Sequence, residues 1–164
     1  MTLQQEFQNR VDNNDYSEGR QAKATRRGFV IERVAKEMLK QHPRVKEVHT
    51  QQFVETIDEF SQIDLVAELT TGEMVYIPVN VDLWIGTSQQ DRLQSVYYKT
   101  KTGQLDNVHY CYLCWSDVVK EINEWAPKTK NNRRGVKIHE VLRLLHEQGR
   151  LHNIDTLFTY ISNV

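Results

Sequence analysis

The chain has 164 residues, of which 39% are hydrophobic, and a formal net charge of −1. That is enough for one domain with a substantial core, it excludes disorder as the main state, and the total charge favours no class of partner. No apolar run reaches membrane length, and the opening MTLQQEFQNRVDNND lacks the apolar centre of a secretion signal. With two cysteines as well, the expectation is a cytoplasmic protein in a reducing compartment.

Residues 1–22 are rich in Gln, Asn and Asp, with apolar Leu3, Phe7 and Val11, and read as a frayed helix followed by a polar arm. From Thr25 to Gln41, residues Phe29, Val30, Val34, Ala35, Met38 and Leu39 recur at helical spacing. His42-Pro43 ends that helix, because proline disfavours helical geometry in the residue before it. Strands are predicted over Val45–Val54, Ser61–Leu69 and Met74–Leu83. Gly86-Thr87-Ser88 breaks the chain ahead of a helix from Gln89 to Lys101, stopped by Gly103. The aromatic-rich, alternating segment Val108–Trp115 predicts a fourth, central strand. Ser116 is placed as the cap of a short helix to Trp125, and Pro127 opens a polar basic loop through Gly135. Helices at Val136–Gln148 and Ile154–Ser162 follow. With no repeat and no dividing linker, the expectation is a single domain over 1–164. It comprises an N-terminal arm (1–22), a core (24–115) and appended helices with a basic loop (116–164). The order predicts an α/β fold with a mixed sheet flanked by helices.

The segment Ile63–Asp82, IDLVAELTTGEMVYIPVNVD, carries the most chemistry. Asp64 opens an apolar strand, Thr70–Glu73 turns the chain, and the returning strand carries Asn80 and Asp82. In a tight antiparallel hairpin, a residue about 15 positions after Asp64 returns beside it. The period of two puts Asn80 and Asp82 on one face. Polar groups at the end of an otherwise apolar strand suit a divalent cation used in phosphodiester chemistry.

Charge is distributed unevenly. Residues 20–46 hold Arg20, Lys23, Arg26, Arg27, Arg33, Lys36, Lys40, Arg44 and Lys46 against two acids, Glu32 and Glu37, whereas 47–82 contain acids but no Lys or Arg. A second basic cluster comprises Lys128, Lys130, Arg133, Arg134 and Lys137. Basic flanks about an acidic centre suit a site that grips phosphates, and equally suit solvated helix faces and loops. The HEVLR run at His139 lacks the second histidine of a zinc-binding HExxH, and His139, His146 and His152 read as surface or helix-end residues. His109 reads as a satisfied sheet residue. Cys111 and Cys114 form a CxxC inside a strand-like segment, where they would point to opposite faces and act as structural thiols. No phosphate-binding Gly-rich loop and no Gly-x-Ser-x-Gly elbow is present.

The predicted αβββαβ order resembles the core of the restriction-endonuclease-like, PD-(D/E)xK nuclease superfamily. Gly28-Phe-Val-Ile-Glu32 resembles that family's Gly-x-x-x-Glu element, Ile63-Asp64 its metal-binding Asp, and Gln94-Ser-Val-Tyr-Tyr98 the Gln-x-x-x-Tyr of its RecB-like branch. The resemblance covers about residues 24–115. It implies a Mg²⁺- or Mn²⁺-dependent DNA endonuclease of restriction, homing or repair type, acting on double-stranded DNA as a homodimer or higher homo-oligomer. Glu32, Asp64 and Asp82 would be metal ligands, and Asn80, Gln94 and Tyr98 further residues of the catalytic site. Arg20, Lys23, Arg26, Arg27, Lys128, Lys130, Arg133, Arg134 and Lys137 would contact nucleic acid. The departure is Asn80-x-Asp82, where the family carries an acid, one residue and a lysine. A lysine from elsewhere, such as Lys99 or Lys101, would then supply the missing charge. Three accounts stay open: an active variant, a relative that binds nucleic acid without cutting, and an engineered inactive form with Asn80 in place of a carboxylate. The alternative of another class is a non-catalytic DNA-binding or protein-interaction module on the same fold.

Overall fold

A computed structural model of the chain describes residues 1–14, 20–50, 63–81, 107–124 and 133–164. Helix α1 (Leu3–Asp12) starts at Thr2, whose side chain accepts from the Gln5 backbone while the Gln5 side chain returns to the Thr2 backbone. This capping box satisfies donors that a helix start otherwise leaves bare. The next free N–H groups, of Leu3 and Gln4, go to the Asp155 carboxylate at 3.1 and 3.0 Å. Phe7 and Val11, one turn apart, are fully buried. Leu3–Asp12 is therefore a capped, docked helix, where a frayed helix and polar arm were expected.

Helix α2 (Arg20–Leu39) begins earlier than predicted and buries Val30, Ile31, Val34, Ala35, Met38 and Leu39 along one stripe. Phe29 was assigned to that stripe but is 63% exposed. It lies one helical step outside the buried arc. The chain leaves α2 at His42, whose Nδ1 accepts the Arg44 N–H at 3.0 Å. The ring hydrogen is thereby left on Nε2, 3.1 Å from the Phe158 carbonyl oxygen.

Strands β1 (Val45–Thr50), β2 (Leu65–Leu69) and β3 (Met74–Ile77) form an antiparallel meander in that spatial order. At the β2–β3 turn the Leu69 N–H donates to Glu73 O at 2.8 Å, and Gly72 takes a φ of +90° that a side chain would resist. Pro78 lacks a backbone donor and splits the predicted Met74–Leu83 strand into β3 and β4 (Val79–Asn80). Strand β5 (Tyr110–Tyr112) pairs parallel with β4 on one side and with β6 (Leu151–His152) on the other, so it is central as expected. The described strands thus form two three-stranded sheets, β1-β2-β3 antiparallel and β4-β5-β6 parallel, where one mixed sheet was expected, and the two adjoin along residues 74–81. Tyr76 bridges Val108 in parallel, and the N–H groups of Cys111 and Leu113 donate to Pro78 O and Asn80 O.

Helices α3 (Trp115–Glu124), α4 (Arg133–Glu147) and α5 (Ile154–Asn163) complete the described elements. Ser116 lies inside the first turn of α3, not at its cap, and Arg133, Arg134 and Gly135 are helical, not part of a loop. β6 was not expected at all, and it makes the C-terminal segment part of the sheet instead of an appendage.

Two apolar layers sandwich the strands. One gathers α1, α2 and α5 over Leu65, Ala67, Leu69, Val75, Ile77 and Cys111. The other gathers α3 and α4 over Val66, Tyr110 and Tyr112. The architecture is mixed α/β, and β2 and β5 read as near-continuous apolar runs because helices cover both their faces. Leu142, Leu145, Leu157 and Ile161 of the last two helices are core residues. Among the described residues no helix is long and apolar enough to cross a membrane.

Candidate functional site

The stripe that α2 buries leaves Phe29, Glu32, Arg33 and Lys36 on another face, at spacings of three, four and seven. These four line a cavity of about 350 Å³ whose remaining walls are Thr50 from β1 and Asp64 and Leu65 at the start of β2. Val48 and Leu65 belong to the core layer beneath α2, and alternation puts Thr50 on the same side as Val48. Asp64 and Leu65 are neighbours yet both line the cavity, so the alternation begins only after Asp64.

Asp64 is 7% exposed. Its Oδ2 accepts the Val79 N–H at 2.7 Å, the contact 15 residues away that the hairpin predicts. The side chain stands where a backbone carbonyl would continue the β2–β3 ladder, at the step where Pro78 interrupts it. The bond fixes the carboxyl group beside the cavity. Arg33 reaches back to Asn14 Oδ1 at 2.8 Å, and Arg10 pairs with Glu37 at 2.6 Å, so α1 braces the outer side of α2.

The structure thus brings Glu32 and Asp64 to one cavity. Asn80 is half-buried on β4 and is not among the lining residues. Asp82, Gln94, Tyr98, Lys99, Lys101, Lys128 and Lys130 lie outside the described residues, as does the predicted helix from Gln89 to Lys101. Arg20, Lys23 and Arg26 are on the early turns of α2, followed by Arg27, while Arg133, Arg134 and Lys137 open α4. The two basic groups therefore belong to helices that pack on different sides of the strands. Gly28 is not required sterically, since a Cβ there would meet nothing within 4 Å.

Lys36 and Phe29 were missed as site residues. The signal for Lys36 was present: it is one turn beyond Glu32 and off the apolar stripe. The donor set of the cavity, two carboxylates from Glu32 and Asp64, suits a hard divalent cation such as Mg²⁺ or Mn²⁺.

A second group of possible ligands lies on the other side of the sheet. Glu47 and Glu68 are cross-strand partners, and His49 Nε2 is 3.9 Å from Glu47 Oε2 and 3.3 Å from Glu68 Oε2. Their ligand atoms lie within 4.8 Å of one another and could hold a metal ion. Lys46 Nζ, 3.6 Å from Glu68 Oε1, offsets part of the repulsion between the two carboxylates.

A third polar cluster is closed. His109 and His152 are buried, with His109 Nδ1 2.9 Å from His152 Nε2 and His152 Nδ1 3.2 Å from Thr156 Oγ1. Thr156 Oγ1 donates to Asn153 O at 3.2 Å, so the hydrogens run from His109 through His152 and Thr156 to a carbonyl. His109 also stacks on Tyr160 with centroids 3.9 Å apart. Burial, with His152 and Arg150 nearby, brings the His109 pKa down to about 3; burial brings His152 to about 4. His152 is thus a buried strand residue where a surface position was expected. His146 is exposed at the end of α4, and half-buried His139 meets Glu121 at 3.3 Å. Cys111 is buried with its thiol pKa pushed up to about 12, as suits a structural thiol, and Cys114 is half-buried.

Compared with protein-family models, curated proteins and solved structures, the chain gives no significant match to any of them.

Proposed function

We propose that the chain is a metal-dependent DNA endonuclease that hydrolyses phosphodiester bonds at the cavity between α2 and β2. One observation carries this reading: Glu32 and Asp64, 32 positions apart in sequence, line one cavity together with two cations, Arg33 and Lys36. A carboxylate pair beside cations is the charge pattern that a phosphodiester and a divalent cation jointly require. The order of a helix, a three-strand meander and a parallel strand beside β4, the continuation of β3, supports the resemblance to the PD-(D/E)xK superfamily. The second core helix that this resemblance implies was expected from Gln89 to Lys101, outside the described residues.

Asp64 and Glu32 would hold Mg²⁺, which when bound polarises a phosphoryl oxygen and lowers the pKa of water. The Val79 N–H orients the Asp64 carboxyl group, so little rearrangement is needed to present it. Lys36, one turn beyond Glu32, supplies the positive charge that Asn80-x-Asp82 lacks, and it would stabilise negative charge developing on the phosphate. It replaces Lys99 and Lys101 as the preferred source of that charge. Arg33 would neutralise a neighbouring phosphate of the strand. Asn80 contributes no charge, which favours as the second reading a DNA-binding module without catalysis.

Cleavage of supercoiled plasmid and of single-stranded circular DNA with Mg²⁺ or Mn²⁺ tests the proposal, using the chain itself and its Asn80→Glu form. Nicked or linear product that disappears with chelator and in Glu32→Gln is expected. Salt-sensitive DNA binding without cutting by either form would replace the enzyme with the binding module. No binding at low salt would remove both.

A further inference from the structure

Among the described residues only two large hydrophobic side chains are exposed, Met1 and Phe29. Met1 precedes α1, but Phe29 sits in a folded helix on the lining of the cavity that holds Glu32, Arg33, Asp64 and Lys36. Its neighbours Val30 and Ile31 are buried, so the helix had room in its core stripe for apolar residues and still places a phenyl ring at 63% exposure. A lone exposed aromatic elsewhere would need no account. Beside two carboxylates and two cations, its surroundings define the partner.

We propose that Phe29 is a stacking platform for an unpaired nucleobase, so the site takes a single strand, flap or strand end rather than continuous duplex. The inference rests on the phosphodiester reading of the same cavity and narrows its substrate. A stacked base needs an open π-face, which a base inside duplex DNA does not offer to a side chain. Phe29 and Lys36 are two helical turns apart, about 10 Å along the axis. A strand lying along this face can place a base on the ring and its phosphates against Arg33 and Lys36. Aromatic stacking with cationic backbone contacts is how single strands are held without reading sequence.

The test is equilibrium binding of the full chain to three fluorescent oligonucleotides in Ca²⁺: a single strand, the same strand made abasic, and the blunt duplex. The single strand should bind more tightly than the duplex. Phe29→Ala should weaken single-strand binding roughly 5- to 100-fold and leave abasic and duplex binding unchanged. Phe29→Trp should restore it, and Phe29→Leu should not. Because the ring is exposed, these variants open no core cavity, and unchanged melting midpoints would verify that. Equal loss on the base-containing and abasic strands, or preference for duplex, overturns the stacking role even if the chain binds and cuts DNA. Failure to bind any of the three overturns the phosphodiester reading with it.

Discussion

Two polar groupings sit in this fold, and they are built on opposite plans. The His109–His152–Thr156 chain ends on a backbone carbonyl, with each ring nitrogen facing another histidine or Thr156 assigned a consistent hydrogen role. Asp64 accepts the Val79 N–H and also lines a cavity with Glu32, Arg33 and Lys36. Both groupings place polar atoms in low-exposure positions. The first consumes its hydrogen bonds internally and holds β5, β6 and α5 together. The second directs charge into a space that a ligand can enter. Burial of a titratable group therefore says little about function until the destination of its hydrogen bonds is known.

The sharpest way to break this contrast is to remove charge without removing the bond. Asp64→Asn keeps an oxygen for the Val79 N–H, so its melting midpoint should stay within about 2 °C of the parent. Metal-dependent cleavage should fall roughly 10²- to 10³-fold, the scale for losing a preorganised electrostatic group. Asp64→Ala, which also strands the Val79 donor, should cost about 1–3 kcal/mol in denaturant unfolding. If both variants unfold alike and neither alters activity, Asp64 belongs with the histidines as a structural residue.

The histidine pair should answer to pH instead. Both folded pKa values lie below the ordinary 6.5, so below that pH the unfolded chain binds more protons than the native one and stability falls with acidification. The stability is fully present above pH 6.5 and is lost as pH drops toward 4. Calorimetry should show a melting midpoint roughly 5–10 °C lower at pH 5 than at pH 7, a window above most carboxylate titrations. His152→Gln should flatten that slope. A slope that survives the substitution would assign it to other groups.

The smallest effect is expected at Lys36. Lys36→Met retains the apolar stem and removes one solvent-screened charge, so it should lower cleavage roughly 10-fold, with KM for DNA changing less than kcat. A change in KM alone would make Lys36 a binding residue.

The hairpin was legible in sequence because two local features fix it. The Thr70–Glu73 turn sets the register, and the apolar run on each side leaves few alternatives. The Asp64-to-Val79 contact follows directly from that register. Glu32 was reached through a resemblance, whereas Lys36 needed only a helical wheel centred on Glu32. Phe29 was misplaced because it is apolar and adjoins the buried arc, and periodicity does not resolve a residue at its margin. β6 has two residues, too few to express a period of two. The docking of α1 was hidden for another reason. The caps from Asp155 to Leu3 and Gln4 span about 150 residues, and no local pattern announces such a pairing.

That last pairing sets an order of assembly. Helix α1 lies about 150 residues before Asp155, yet its cap arrives only with that residue, and the Gln4 side chain bridges the Leu113 carbonyl and the Ile154 N–H. Phe7 and Val11 seal the same apolar layer as Ile154, Leu157 and Ile161. The layer beneath α2 closes only when α1 and α5 are both in place. Contacts of such long sequence separation cost loop-closure entropy, so the docking of α1 on α5 should form slowly and together with the layer it seals.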